Sequence, residues 1–217
     1  MNYEKNVKLN GAILTQENLI SLMKSAYSYF QNIRTSIKFT DNSNITGISV
    51  DEFEKMSFKN KKIKSFDIKS STYTNNKQSS FWVQHDDLSN VCEVKFEFSD
   101  YDDYVRFADV IDNWRNEVCD RRKYINIIHS WGLNVLFFLI AYIPLVFIGQ
   151  DFNQMAQSAG IWVFPAFGYA GGLKALLKYA FPLTEIDIGI NNRKTFRKFA
   201  WGLISLLIIP IILSLVF

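Results

Sequence analysis

The chain is poor in the residues from which metal sites and disulfide frameworks are built. Its 217 residues include two histidines and two cysteines. Neither His85 nor His129 has cysteine or carboxylate partners at zinc-site spacing, so we expect no metal ion and no cofactor. We interpret His85 as a solvated loop residue and His129 as a side chain at a membrane boundary. For Cys92 and Cys119 we favour free thiols in a reducing compartment over a disulfide or redox pair.

Catalytic motifs are also missing from the sequence. It contains no G-x-S-x-G motif, no P-loop and no glycine fingerprint of dinucleotide-binding proteins. The aspartates between Asp100 and Asp112 lack the glycine turn and closing glutamate of a calcium-binding EF-hand loop. Helix capping and a charged helix face explain them better. We therefore predict that the protein is not an enzyme and has no catalytic residues.

Charge is scarce in the second part of the chain. Residues 1–130 contain 18 Lys/Arg and 18 Asp/Glu, which leaves 6 of the 24 cations and 3 of the 21 acids for residues 131–217. This division predicts a soluble domain over 1–130 and a membrane domain over 131–217. The neutral balance of the first domain does not support nucleic-acid binding, which needs a concentrated basic face.

The soluble part is predicted to be an α+β domain with about four antiparallel strands and flanking helices. Residues 14–30 have one apolar helical face behind a Thr15 N-cap, and Ser49 and Glu52 form a capping box for a short helix. Alternating apolar residues predict the strands, over 33–40, 62–74, 80–85 and 91–98. A long helix follows from Asp100, with an apolar stripe at Phe107, Ile111, Trp114 and Val118. Its phase predicts one continuous helix from Trp114 to Gly149.

Two uncharged runs of 19 residues, 131–149 and 199–217, predict membrane spans. At 1.5 Å per residue each is about 28 Å long, close to the thickness of a hydrocarbon core. A third, less apolar run over 155–173 is a further predicted span. None of the three runs contains an ionisable residue, which weakens any prediction of proton-coupled transport or a charge-lined pore.

Cations next to these runs predict the topology and contacts with lipid headgroups. Positive residues stay on the cytoplasmic side, and clusters precede both the first and the last span. The residues are Arg121, Arg122, Lys123, Lys174, Lys178, Arg193, Lys194, Arg197 and Lys198. Keeping both clusters inside requires an even number of crossings between them. We therefore favour three passes over a two-pass hairpin in which 150–198 would be extracytoplasmic.

The middle run carries small residues that let helices approach closely, at Gly160, Gly168, Gly171 and Gly172. Packing within one chain and a subunit interface in an oligomer are both consistent with this pattern. Between the runs, FPLTEIDIGINNRKTFRK (181–198) alternates like a short strand around Ile186 and Ile188. We interpret it as a cytoplasmic topology anchor that pairs with the sheet domain.

The tail, with FP, EIDIG, a cationic stretch, WG and IIPII in that order, resembles the ending of an uncharacterised group of small bacterial membrane proteins. In that group a small α+β domain precedes two or three spans. The layout also resembles small bacterial anti-phage effectors, which couple a soluble sensing domain to a few membrane helices and permeabilise the inner membrane. These resemblances imply a bacterial inner-membrane protein with a cytoplasmic N-terminal domain and an antiviral defence role.

The leading hypothesis is a non-enzymatic protein whose cytoplasmic domain senses a partner or signal. It would control membrane helices that oligomerise into a pore or perturb the bilayer. The alternative is a membrane-anchored interaction, scaffold or immunity module with passive spans. The expected partners are the lipid bilayer and either further copies of the chain or another protein, with no nucleic acid.

Overall fold

The computed structural model divides the chain into two compact units. The N-terminal unit comprises Met1–Lys123 and Leu183–Asn191, and the C-terminal unit comprises Tyr124–Pro182 and Asn192–Phe217. The structure describes residues 2–74, 77–86, 91–119, 122–130, 132, 171–172, 174–189, 191, 193, 195–202 and 205. The chain therefore passes between the units three times, whereas the sequence suggested a single boundary at residue 130.

The N-terminal unit is an α+β domain built on an antiparallel six-stranded sheet. Its strands are β1 (Tyr3–Leu9), β3 (Arg34–Phe39), β4 (Asn44–Ile48), β5 (Ile63–Thr74), β6 (Lys77–Asp86) and β7 (Val91–Phe98), in the order β1-β7-β6-β5-β3-β4. Two short strands, β2 (Ala12–Leu14) and β8 (Thr184–Ile186), form a separate parallel pair. The helices of the N-terminal unit are α1 (Gln16–Ala26), α2 (Val50–Lys55) and α3 (Tyr101–Val118). A fourth helix, α4 (Arg122–His129), begins with the last two residues of the stretch Met1–Lys123, and its other residues belong to the C-terminal unit.

The prediction of an antiparallel α+β domain with flanking helices is confirmed, but the number of strands is wrong. The four predicted strands correspond to β3, β5, β6 and β7, and β1 and β4 extend the sheet at its two edges. Only Val7 and Leu9 of β1 and Ile48 of β4 are buried. Edge strands with so few buried residues carry little of the alternation that identified the central strands.

The predicted helix starts are confirmed atom by atom. The Thr15 hydroxyl accepts a hydrogen bond from the Asn18 amide at 3.1 Å, as an N-cap does. The Ser49 hydroxyl accepts from the Glu52 amide, and the Glu52 carboxylate accepts from the Ser49 amide at 2.7 Å. These reciprocal bonds satisfy backbone donors that have no partner inside the helix.

The core lies between the inner face of the sheet and helices α1 and α3. Phe107 is its aromatic centre, with ring centroids 5.1–5.4 Å away in five neighbours: Tyr29, Phe30, Phe81, Phe96 and Phe98. The Trp114 indole donates to the Asn18 carbonyl at 2.9 Å and so joins α3 to α1. The predicted stripe on α3 is confirmed, because all four of its residues are buried.

The predicted continuous helix from Trp114 to Gly149 is wrong. Helix α3 ends at Val118, because Cys119 has φ −101° and ψ 39°, outside the helical region, and α4 begins at Arg122. Apolar residues can stay in helical phase across a break, so periodicity alone did not detect it. The residues at the junction, Cys119 and Asp120, are weak helix formers.

Among the described residues, no helix is long and apolar enough to cross a membrane. The predicted spans 131–149, 155–173 and 199–217 lie almost entirely outside the described residues.

Candidate functional site

The segment Leu183–Asn191, here called the return segment, is built into the N-terminal unit although the C-terminal unit precedes and follows it. Its strand β8 pairs in parallel with β2, with Ala12 opposite Thr184 and Leu14 opposite Ile186. The prediction that this segment pairs with the N-terminal domain is confirmed. Its partner is the short β2, however, and not a strand of the main sheet.

Hydrogen bonds hold β8 along its whole length. The Gly11 amide donates to the Leu183 carbonyl at 2.6 Å, and the Asp187 amide donates to the Leu14 carbonyl at 2.9 Å. The hydroxyl of Thr184, which is fully buried, donates to the Leu9 carbonyl at 2.9 Å. Backbone and side chain therefore both connect the return segment to the β1–β2 region.

Gly189 makes the closest backbone approach in the return segment. It has φ +74° and forms an antiparallel bridge with Lys62. A Cβ atom at this position would overlap the carbonyl oxygens of Phe58 and Lys61. Because both obstacles are backbone atoms, a residue with a side chain fits only if the segment moves away from the turn over 58–61.

The return segment also contributes buried side chains. Ile188 belongs to the hydrophobic core of the unit, and Glu185 is only 3% exposed. The Asn191 side-chain amide donates to the Glu185 carboxylate at 2.7 Å and to the Asp187 carboxylate at 3.2 Å. Strand-like alternation suggested that Glu185 would face away from the apolar residues, so its burial was not predicted.

Lys61 connects this region to the turn between β3 and β4. Its ammonium lies 2.6 Å from the Asp41 carboxylate and 5.3 Å from the centre of the Phe39 ring. Hydrogen bonding to Lys61, and then to Ser43, holds the pKa of Asp41 well below its usual range. The turn over 58–61 therefore touches Gly189 through its backbone and the β3–β4 turn through its lysine.

The same β3–β4 turn borders an open cavity of about 410 Å³ on the solvent side of the sheet. Its polar lining side chains are Ser36, Lys38, Asn42, Asn44, Thr46, Ser65, Asp67 and Gln84. The Asp67 carboxylate accepts from the Trp82 indole and lies 2.6 Å from the Lys69 ammonium. Hydroxyls, amides and one fixed carboxylate can hydrogen-bond a small polar molecule. The sequence did not reveal this cavity, because four separate strands line it.

The two histidines and the two cysteines lie outside the return segment in the sequence. His85 was expected in a solvated loop, but it is 1% exposed in β6, and its ring stacks on Phe66 with centroids 5.7 Å apart. That interpretation is wrong because β6 continues to Asp86. No disulfide joins Cys92 to Cys119, and burial raises the pKa of Cys92, which makes its thiol unreactive. In the described part of the chain, no group of three or more His, Cys, Asp or Glu could hold a metal ion.

Several of the cations that are predicted to contact lipid headgroups lie in helical segments. Lys174 and Lys178 lie in the helical segment 174–180, Arg197 and Lys198 lie in 195–202, and Arg193 is also helical. Arg122 and Lys123 lie at the start of α4. Arg121, Lys194, Gly160 and Gly168 are outside the described residues. Gly171 and Gly172 are exposed, and no described atom lies within 4 Å of a Cβ built on either.

Phe181, two residues before the return segment, contacts residues from several described parts of the C-terminal unit. Its carbonyl is 3.0 Å from His129 Nε2, and its ring centroid is 6.1 Å from that of Trp201 and 6.0 Å from the Arg197 guanidinium. Nearby, the rings of Tyr179 and Phe196 meet edge-on at 4.7 Å. The C-terminal unit is thus packed up to the residue that precedes Pro182.

Comparisons with protein-family models, with curated proteins and with solved structures find no match.

Proposed function

We propose that this protein is a non-enzymatic protein of the bacterial inner membrane, acting as a defence effector. Its N-terminal unit, on the cytoplasmic side, senses a partner or signal and controls the helices of the C-terminal unit. Those helices oligomerise to form a pore or perturb the bilayer. The single observation that carries this proposal is the return segment, which belongs to the N-terminal unit but joins the two parts of the C-terminal unit.

The connectivity supports control because the chain runs from residues 124–182 to residues 192–217 through Leu183–Asn191, which belongs to the N-terminal unit. A change that releases or shifts this segment moves the attachment points of both parts together. The break at Cys119 interrupts the predicted continuous helix from Trp114 to Gly149, so in this proposal the return segment is the mechanical link between the units.

A route by which a signal reaches the return segment runs through the β3–β4 turn. Asn42 and Asn44 line the open cavity, and Asp41 in the same turn pairs with Lys61. The backbone of the 58–61 turn in turn contacts Gly189. A ligand or partner that repositions the β3–β4 turn would therefore alter the support under Gly189.

The proposal is tested by expressing the full chain in bacteria and recording a membrane-potential dye. We expect wild-type expression to lower the potential under an activating condition, and Lys61→Met to change the strength of the signal needed. Lys64→Met serves as the matched comparison, because Lys64 lies in β5 and the proposed route does not pass through it; the lysine paired with Asp41 is Lys61. An unchanged potential for the wild type under every activating condition would argue strongly against control of an active membrane part.

A further inference from the structure

We propose that two copies of this chain associate through β1, antiparallel about a two-fold axis at Asn6, so that their six-stranded sheets join edge to edge. This inference goes beyond the proposed control of the C-terminal unit, because it assigns an assembly surface to the N-terminal unit. Strand β1 is an edge of the sheet and pairs with β7 alone among the described strands. An unpaired edge offers its backbone N–H and C=O groups to another strand.

The register follows from the charges on the outer side of β1. Glu4, Asn6 and Lys8 alternate there, and all three are exposed. An axis at Asn6 places Glu4 opposite Lys8 of the partner subunit, and the symmetry repeats this pair. Opposite charges directly across two strands stabilise the pairing, and like charges oppose it. The strand is therefore complementary to its own antiparallel copy.

Neighbouring registers lose this complementarity. An axis at Lys5 places Lys8 opposite Asn2 of the partner subunit, and an axis at Val7 places it opposite Asn6 of the partner subunit. Because side chains alternate between the faces, two-fold pairing about any residue keeps the outer faces together, and only the Asn6 axis opposes acid to base. The charge pattern thus selects one register.

The pairs within each copy extend the pattern. Glu4 lies 2.8 Å from the Lys95 ammonium and Lys8 lies 3.2 Å from the Glu93 carboxylate. Across the junction the charges would therefore alternate along a row: Lys95, Glu4, Lys8 of the partner subunit and Glu93 of the partner subunit. Glu4 and Lys8 then each have an opposite charge on both sides, so the new contact adds to the existing pairs.

The inner side of β1 is also compatible with pairing. Inward-pointing charges on an edge strand commonly prevent association, but the Lys5 ammonium is already held 2.8 Å from the Asp112 carboxylate. Tyr3 packs against Tyr101 with ring centroids 5.2 Å apart, and Tyr101 is 56% exposed. This aromatic surface beside the edge would lose exposure when a second sheet is added.

Cysteine cross-linking of the full chain in membranes tests the pairing. Directly opposed residues in antiparallel strands have Cα atoms about 4.5–5.5 Å apart, within the range of about 4.4–6.8 Å that disulfides accept. We expect Asn6→Cys to give a disulfide-linked homodimer under mild oxidation. Wild type controls for the native thiols, and Gln84→Cys, exposed on β6 two strands from the edge, should give none.

Charge exchange separates the contact between copies from the pairs within each copy. In the Asn6→Cys background, Glu4→Lys or Lys8→Glu puts like charges across the axis, so the dimer yield should fall, with affinity reduced on the order of tenfold. The double variant Glu4→Lys/Lys8→Glu restores both opposite-charge pairs across the axis. Within each copy, however, it puts a like charge next to Lys95 and next to Glu93. Recovery of the dimer in the double variant supports the proposal, and a yield below both single variants overturns it.

A second pair of cysteine variants tests the same register if Asn6→Cys fails to fold. Two differently tagged chains, one carrying Glu4→Cys and the other Lys8→Cys, should form a mixed disulfide when they are expressed together. Absence of both cross-links overturns the proposal, as does a cross-link from position 6 to a different protein. The readout is a gel band, so either result leaves the membrane-potential test of the proposed function independent.

Discussion

Replacing Gly189 by alanine should detach the return segment without unfolding the N-terminal unit. The matched control is Gly47→Ala, because the two glycines have nearly the same φ: +73° at Gly47 and +74° at Gly189. The two sites differ in the space around them. Apart from the adjacent residues, no described atom lies within 4 Å of a Cβ at Gly47, whereas a Cβ at Gly189 meets two carbonyl oxygens. The comparison therefore isolates the steric effect from the cost of a positive φ.

The magnitude follows from these two contributions. A non-glycine residue in the left-handed region costs about 1–2 kcal/mol, and both variants carry this cost. Forcing a methyl group against fixed neighbours adds about 1–3 kcal/mol at Gly189 alone. Detachment of the return segment removes both costs at Gly189. The added free energy should therefore lower the free energy of local opening of this segment. An unfolding free energy of about 5–15 kcal/mol for a typical domain is large enough to absorb it.

Hydrogen exchange measures this opening directly. The Asp187 amide donates to the Leu14 carbonyl across the β2–β8 pair, so its exchange reports on detachment. We expect its protection in Gly189→Ala to fall about 5- to 140-fold below that in Gly47→Ala, since the steric cost is about 1–3 kcal/mol and about 1.4 kcal/mol is a factor of ten. Amides in the central strand β6 should stay protected in both variants. Equal protection of Asp187 in the two variants would refute the steric argument.

Three further results are expected. Thr184→Val removes the hydrogen bond to the buried Leu9 carbonyl and should lower the free energy of unfolding by about 1–3 kcal/mol in chemical denaturation, whereas an unaffected midpoint would contradict the role of that bond. Because the folded-state pKa of Asp41 is lowered by Lys61, their pairing contributes stability that is fully present above the usual carboxyl pKa of 3.8 and is lost as the pH falls through the folded value. Lys61→Met should therefore flatten the thermal stability profile in acid, and an unchanged profile would show that the pair does not contribute. The fragment 1–130 lacks the return segment and should melt at a lower temperature than a fusion of 1–123 to 183–191 through a flexible linker; equal melting temperatures would mean that the segment adds no stability.

Local signals predicted those parts of the fold that depend on neighbouring residues. The capping box at Ser49 and Glu52, the N-cap at Thr15 and the buried stripe on α3 are each set within a few residues, and the structure has all of them. The alternation over 91–98 is equally local and corresponds to β7. In each case the side chains that decide the structure lie within one element.

Features that depend on distant partners were only partly predictable. The strand character of 184–186 was visible, but its pairing with β2 joins residues that are far apart, as in the bond between Thr184 and Leu9, 175 positions away. Gly189 gives no local sign that it fits against the 58–61 turn. The membrane passes stay a prediction, because hydropathy supports them and the described residues do not include the spans.

The return segment also sharpens the choice between an active and a passive C-terminal unit. A passive anchor needs one attachment, and a chain that left the domain after residue 123 would supply it. Here the chain comes back for nine residues, Leu183–Asn191, whose Ile188 fills the core and whose Gly189 fits a site that accepts no side chain. Completing the core explains that return by itself if the C-terminal unit is passive.

A fusion that keeps 1–123 and 183–191 and carries an unrelated membrane anchor separates the two explanations, because its core is complete in either case. Retained function in this fusion would favour the anchor, and loss of function with unchanged thermal stability would favour an active unit that the return segment controls.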